Sequence, residues 1–111
     1  MSDKELLKTV TQFRKGILGK KSPLTMCWAV CAPLSTFLNG CGVENELTEG
    51  EVHLSGHNEG ITIGHFWITL SDGRIIDPTI SQFNKMGHAS MPAVYFGEKL
   101  SFLIPLPIPE K

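Results

Sequence analysis

The stretch His65-Phe66-Trp67-Ile68-Thr69-Leu70-Ser71-Asp72-Gly73-Arg74-Ile75-Ile76-Asp77-Pro78-Thr79 decides how the rest of the chain reads. Two apolar runs flank Ser71-Asp72-Gly73, and an Asp-Gly pair between such runs is a strong hairpin signal. The first run predicts a strand from Ile61 to Leu70, with Ile61, Ile63, His65 and Trp67 on one face and Phe66, Ile68 and Leu70 on the other. Both faces are largely apolar, which predicts a central strand covered on both sides.

Loop length then fixes where Asp77 points. A two-residue loop at Asp72-Gly73 pairs Leu70 with Ile75, sets Asp77 opposite Ile68 and turns it away from His65. A three-residue loop at Ser71-Asp72-Gly73 pairs Leu70 with Arg74 and sets Asp77 opposite Trp67, on the His65 face and diagonal to it. A type I turn closed by Gly73 in the left-handed region suits the sequence, so the three-residue loop is expected.

Upstream of the hairpin the periodicity is helical. Ser2 and Glu5 fit a capping box, and Leu6, Val10, Phe13 and Ile17 predict an amphipathic helix over roughly residues 3 to 16, ended by Gly16, Gly19 and the Lys20-Lys21-Ser22-Pro23 loop. A second helix starts at Ser22 and Pro23 or at Thr25, which places Cys27 within its first two turns either way. Its apolar stripe carries Val30, Cys31, Leu34, Phe37, Leu38 and Cys41, and Gly40 and Gly42 end it. Pro33 is expected to kink the first turn away from the rest. Beyond Glu46 the pattern is of strands, with weak alternation over Glu51-Val52-His53-Leu54 and a turn from Ser55 to Gly60. After Pro78 the chain reads as irregular through Gly87 and His88. A strand pair is expected between Ala93 and Leu103, turning near Gly97-Glu98. The tail Pro105-Leu106-Pro107-Ile108-Pro109 cannot enter a sheet interior. Two N-terminal helices followed by a small antiparallel sheet make an α+β fold.

A chain of 111 residues makes a single domain, and 41% hydrophobic with 19% charged residues is a globular composition. A net charge of -1 and a pI near 6.4 supply no field for nucleic acid or a membrane surface. Arg14, Lys15, Lys20 and Lys21 cluster, but without interleaved aromatics to stack on bases. No apolar run approaches the ~20 residues of a membrane helix, and Met-Ser-Asp-Lys-Glu shows no export pattern. Cys27, Cys31 and Cys41 are too few and too crowded for a disulfide framework, so a cytoplasmic protein is expected.

The chemistry lies in three residues in chain order. A thiol at a helix N-terminus meets unpaired N–H groups and the positive end of the dipole, both of which favour the thiolate; Cys27 has that position. His65 is the candidate base, and Asp77 would fix its tautomer through the other ring nitrogen. The same helix N–H groups suit the oxyanion of an acyl-transfer intermediate.

Cys27-Trp28 opening a helix, then His65-x-Trp67, then Asp72-Gly73-x-x-Ile76-Asp77-Pro78-Thr79, resembles the core of the transglutaminase-like branch of the papain-like cysteine enzyme superfamily. The resemblance spans about residues 22 to 83 and departs from the pattern at Met26, where many members carry a small residue, and at Pro33. It implies a minimal papain-like core with Cys27 as nucleophile, His65 as general base and acid, and Asp77 as orienting carboxylate. It implies a thiol protease, amidase, deamidase or acyl transferase acting on a protein, peptide or small amide, with no cofactor. Inactive relatives also exist, so a binding or inhibitory module that keeps the fold is the alternative.

Other readings compete at each position. Cys31 is expected in the core but is the alternative nucleophile if the helix begins at Pro33, and Cys41 reads as a small residue at the helix end. His65 alone would pass for a core histidine, and Asp77 before Pro78 for a turn residue. His53, His57 and His88 read as surface residues. Trp28 and Trp67 flank the site and are read as walls of a substrate cleft, although core packing explains them equally well, with Gln82 and Asn84 as further polar candidates. Zinc held by Cys27, Cys31, Cys41 and a histidine is the rival chemistry, but zinc cysteines pair in loop knuckles and these lie along a helix, so no metal is expected.

Overall fold

Helix α1 (Asp3–Leu18) begins where Ser2 Oγ accepts the Glu5 N–H at 3.2 Å and donates to Glu5 Oε1 at 3.0 Å, the capping box read from the sequence. In the computed structural model, which describes residues 1–20, 26–86 and 90–106, the helix continues through Gly16 and stops at Gly19, whose φ is 56°. The buried stripe is Leu6, Val10 and Leu18, with Phe13 packed beside it, whereas Ile17 is 39% exposed. The stripe therefore runs in steps of four, and the fourth member of that row is Arg14.

Helix α2 (Cys27–Gly40) packs on the sheet through Val30, Cys31, Leu34 and Leu38. Its expected start at Ser22, Pro23 or Thr25 lies outside the described residues. One helix runs unbroken through Pro33, which faces solvent, so no separate first turn forms. Exposure is what makes the proline tolerable there, because a lost helix bond is costly mainly where the freed carbonyl is buried. Phe37, expected in the core, is 44% exposed and rests on Phe13 of α1 with ring centroids 5.4 Å apart. Asn45 ties the end of α2 to the sheet: its Oδ1 accepts from Ser35 Oγ at 2.6 Å and its Nδ2 donates to the Val43 carbonyl at 2.8 Å.

The sheet contains β1 (Asn45–His53), β2 (Thr62–Leu70), β3 (Ile75–Asp77), β4 (Tyr95–Gly97) and β5 (Leu103–Pro105). All pairings are antiparallel, in the order β4-β3-β2-β1-β5, with β2 at the centre. The fold is thus α+β, with the helices preceding an antiparallel sheet. Helices α1 and α2 cover the face of Phe66, Ile68, Leu70 and Ile76. The opposite face, with Trp67, Ile75 and Val52, is closed by Ile80 and Phe83 of a 3-10 segment (Ile80–Met86) and by Leu103. That segment fills much of the stretch expected to be irregular; Gly87 and His88 lie outside the described residues, as do the His57 side chain and Pro107 to Lys111.

The expected strand pair between Ala93 and Leu103 does not form as a hairpin. Strand β4 pairs with β3 and strand β5 with β1, at opposite edges of the sheet. Strand β5 gains a longer neighbour in β1, strand β4 joins a β3 that is itself paired with β2, and Leu100 and Phe102 of the connection pack into the core. Pro105 sits on an edge strand, where a missing N–H costs least.

The hairpin register decides the site. Ile68 pairs with Ile76 and Thr69 with Ile75, the Leu70 N–H donates to the Arg74 carbonyl at 2.8 Å, and Gly73 has φ 90°. This is the three-residue loop, and it sets Asp77 opposite Trp67. Asp72 Oδ1 accepts the Arg74 N–H at 3.0 Å, and Arg74 also reaches Asp3 on α1 at 2.8 Å and covers the Phe96 ring at 4.9 Å, so the loop is held on several sides.

Candidate active site

Strand β3 ends at Asp77 because the next residue is a proline. In the hairpin register Pro78 would face Phe66, in the same kind of pair that Ile76 makes with Ile68. Lacking an N–H, Pro78 cannot donate to the Phe66 carbonyl, and its own carbonyl accepts from Arg14 Nε at 2.6 Å. The pairing of β2 with β3 stops short of Phe66, whose carbonyl meets helix α2 instead. The Cys31 thiol donates to the Phe66 carbonyl at 3.6 Å, and the Phe66 N–H lies near enough to the Cys27 sulfur to favour its thiolate.

Cys27 is the first residue of α2 and is half-buried. The N-terminus has no side-chain cap from Met26 and no acidic residue in its first turn. The first backbone bond to close is from Val30 N–H to the Met26 carbonyl, so the N–H groups of Cys27, Trp28 and Ala29 have no partner within the helix. Among them the Trp28 N–H helps to favour the Cys27 thiolate.

His65 is buried on β2, diagonal to Asp77. Its Nε2 lies 2.7 Å from Asp77 Oδ2; a carboxylate only accepts, so Nε2 carries the proton of this bond. Asp77 Oδ1 accepts the Thr79 N–H at 3.1 Å. The turn role and the orienting role of Asp77, read from the sequence as alternatives, are held together, one oxygen for each. Phe83 meets the imidazole edge-on at 5.0 Å and Trp67 lies 6.1 Å away, tilted. With Nε2 committed, the interaction with Cys27 falls to Nδ1, which is buried and makes no ordinary hydrogen bond among the described residues. A thiol and imidazole in loose contact are common in sites that tighten only around substrate.

The two groups shift each other's protonation. Burial pushes the Cys27 thiol up, but His65 and the Phe66 and Trp28 N–H groups outweigh it, and the thiol lies below its ordinary value. Burial pulls His65 down, yet the hydrogen bond with Asp77 and the nearby Cys27 sulfur prevail and push it up to about 9. Both shifts favour thiolate beside imidazolium. Cys31 differs: burial, with Asp77 and Cys27 as like charges nearby, pushes its thiol well up.

The structure brings Cys27, His65 and Asp77 together. It separates the two tryptophans: Trp28 is 59% exposed beside Cys27, whereas Trp67, expected as a cleft wall, is 1% exposed and belongs to the core against His65. The correction has a local cause. Gly50 on β1 leaves space that the Trp67 indole fills, and a Cβ at Gly50 would collide with that ring and with the Ile104 carbonyl. Asn84 bonds to the Met91 backbone through both ends of its amide, at 2.9 Å each, and Gln82 Nε2 donates to the Thr79 carbonyl at 3.0 Å. Among the described residues no three His, Cys, Asp or Glu side chains are arranged to hold a metal, and Cys41, at the far end of α2, lies about 20 Å from Cys27.

Arg14, Phe66 and Thr79 escaped the sequence reading. Thr79 had a signal, since an aspartate often accepts the N–H two residues on. Phe66 had one in the register that sets it opposite a proline. No family model, curated protein or solved structure matches the chain.

Proposed function

We propose that this protein is a cysteine-dependent enzyme of amide or related acyl bonds, with Cys27 as nucleophile, His65 as general acid and base, and Asp77 as the carboxylate that orients His65. The observation that carries the reading is the buried His65–Asp77 hydrogen bond of 2.7 Å, which leaves the second ring nitrogen to a thiol at a helix N-terminus. The low-lying thiol and the raised imidazole point the same way. A minimal papain-like core of the transglutaminase-like branch remains the family we infer from the motif pattern.

In this reading the Cys27 thiolate attacks the carbonyl carbon, and free N–H groups at the start of α2 hold the oxyanion. The His65 imidazolium gives its proton to the leaving amine nitrogen as the C–N bond breaks, leaving a thioester on Cys27. Neutral His65 then takes a proton from water, or from an acceptor amine, as its oxygen or nitrogen attacks the thioester. Collapse of that second intermediate expels the thiolate and restores the ion pair. Exposed Trp28 forms one wall of the substrate approach. Hydrolysis, deamidation and acyl transfer share these steps and differ only in which amine leaves and what resolves the thioester. The substrate is a protein, peptide or small amide. Three free cysteines suit a reducing compartment, and we infer a cytoplasmic location.

An activated ester tests the reading without knowledge of the substrate. p-Nitrophenyl acetate should release a burst of one equivalent of nitrophenol and leave an acetyl group on Cys27, and Cys27→Ala and His65→Ala should each abolish the burst. A folded wild-type protein that gives no burst and no acetyl-Cys27 would refute the nucleophile.

A further inference from the structure

The main-chain groups of β2 alternate between its two neighbours. The Leu70 N–H donates to the Arg74 carbonyl, so the even-numbered residues bond toward β3, and Ile63, His65, Trp67 and Thr69 bond toward β1. Strand β3 stops at Asp77, opposite Trp67, and the chain turns into the 3-10 segment at Ile80. The Gly64 N–H and carbonyl therefore face an edge that β3 has left, and neither has a backbone partner among the described residues. Gly64 is exposed, its φ is not positive, and a Cβ on it would meet nothing within 4 Å. Neither backbone strain nor crowding asks for glycine there. This edge lies at the start of α2. Ser35 bonds to Asn45, the cross-strand partner of Leu70, and Cys31 to the Phe66 carbonyl, so the helix advances along β2 from Leu70 toward Phe66. One further turn, ~5.4 Å, carries Cys27 past Phe66 to the level of Gly64. On the helix side of the sheet Gly64 pairs with Glu51 of β1, and Glu51 with Ile104 of β5. This part of the face is open: Gly64 and Ile104 are exposed and Glu51 is half-buried. The Glu51 carboxylate makes no hydrogen bond or ion pair among the described residues, and neither does that of Glu49, on the same face beside Phe66.

We propose that the substrate is an extended peptide that adds to β2 at Gly64, with a lysine or arginine opposite Gly64 whose side chain crosses the glycine to reach Glu51. The free N–H and carbonyl of Gly64 supply the pair of strand bonds that holds the peptide main chain. A residue held there sits ~4.8 Å from β2 and about 10 Å from β1. A long aliphatic stem, met by the stem of Glu51, spans that distance, and a short side chain does not. Gly64 is what leaves the lane open, because any side chain on it would stand between the two. Phe66 and Thr62, two residues away on the same face, border the lane. A cationic head group completes the Glu51 carboxylate, which has no counter-ion among the described residues, whereas an acidic side chain is repelled by both Glu51 and Glu49. With Cys27 at the level of Gly64, the basic residue lies within two positions of the bond that is cleaved.

The proposal rests on Cys27 being the nucleophile, but its test reads binding and not turnover, so the two fail separately: a missing acetyl-Cys27 burst refutes the nucleophile, and a missing preference for a basic peptide refutes the subsite. The protein is Cys27→Ala, and the probes are blocked heptapeptides of alanine with lysine, arginine, norleucine or glutamate at the centre. Titration followed by NMR should move the Gly64 amide resonance. The lysine and arginine peptides should bind about fivefold tighter than the norleucine peptide, the scale of a partly exposed ion pair, and the glutamate peptide weakest. Adding Glu51→Gln should remove the advantage of the basic peptides, Glu51→Lys should transfer it to the glutamate peptide, and Gly64→Val, which fills the lane, should lose it as well. Glu46→Gln, on β1 but on the opposite face, should keep it. Equal affinity for the lysine and norleucine peptides overturns the proposal. So does an advantage that survives Glu51→Gln, or binding that leaves the Gly64 amide where it was.

Discussion

Asp77 Oδ2 and His65 Nε2 lie 2.7 Å apart as a diagonal pair across two strands, and the three-residue loop at Ser71-Asp72-Gly73 puts them there. Strand side chains alternate between faces, so a loop shorter by one residue would send Asp77 to the helix side of the sheet. Gly73, at φ 90°, is what permits this loop. Gly73→Ala should cost about 1 kcal/mol, read as a fall in melting temperature of about 4 °C. Replacing the three residues by Asn-Gly should keep a hairpin but abolish preferential labelling of Cys27.

The raised His65 makes stability depend on pH. Its folded value, about 9, lies above the unfolded 6.5. Protonation therefore stabilises the fold fully below about pH 6.5, and that contribution is lost as pH rises through about 9, a change on the order of 3 kcal/mol. The lowered Cys27 thiol contributes in the opposite sense and offsets this decline where both groups are charged, so thermal melts of Cys27→Ala between pH 6 and 10 should show it. In Asp77→Asn the main partner of the imidazolium is gone, burial prevails, and the decline should vanish from this window.

Trp67 supports the imidazole from within the core, and Gly50 makes room for it. Gly50→Ala should destabilise by about 1 to 3 kcal/mol through overpacking, and by pushing the indole toward His65 it should also slow Cys27 alkylation. Gly64→Ala, where an added Cβ meets nothing within 4 Å, is the control and should be near neutral.

Cys31 is the second thiol on the face of α2 that meets Phe66, but it is fully buried and its thiol is pushed well up. Cys31→Ala should lower stability by about 1 kcal/mol, a small cavity and a weak hydrogen bond, and leave Cys27 labelling intact. Loss of labelling in a folded Cys31→Ala would move the nucleophile to Cys31.

What the sequence disclosed was local. The capping box of α1, the loop at Gly73 and the alternation along β2 are each set by residues a few positions apart, and each is found in the fold. The hold on the Pro78 carbonyl was hidden because its donor, Arg14, lies 64 residues away. Trp67 could not be sorted into wall or core while both faces of β2 read as apolar; the space that decides it is left by Gly50 on another strand. Strands β4 and β5 have three residues each, too few for period-two alternation to show, and proximity in sequence suggested a hairpin where the sheet offered two separate edges.

Cysteine labelling at pH 6 to 7 tests the central claim most directly, because the protein carries its own reference: Cys41 is exposed, Cys27 is half-buried and Cys31 is buried. If His65 and the start of α2 hold Cys27 as a thiolate, substoichiometric iodoacetamide should modify Cys27 well ahead of the more accessible Cys41, and His65→Ala should reverse that order. Labelling that follows exposure alone, with Cys41 first in the wild-type protein, would contradict the account.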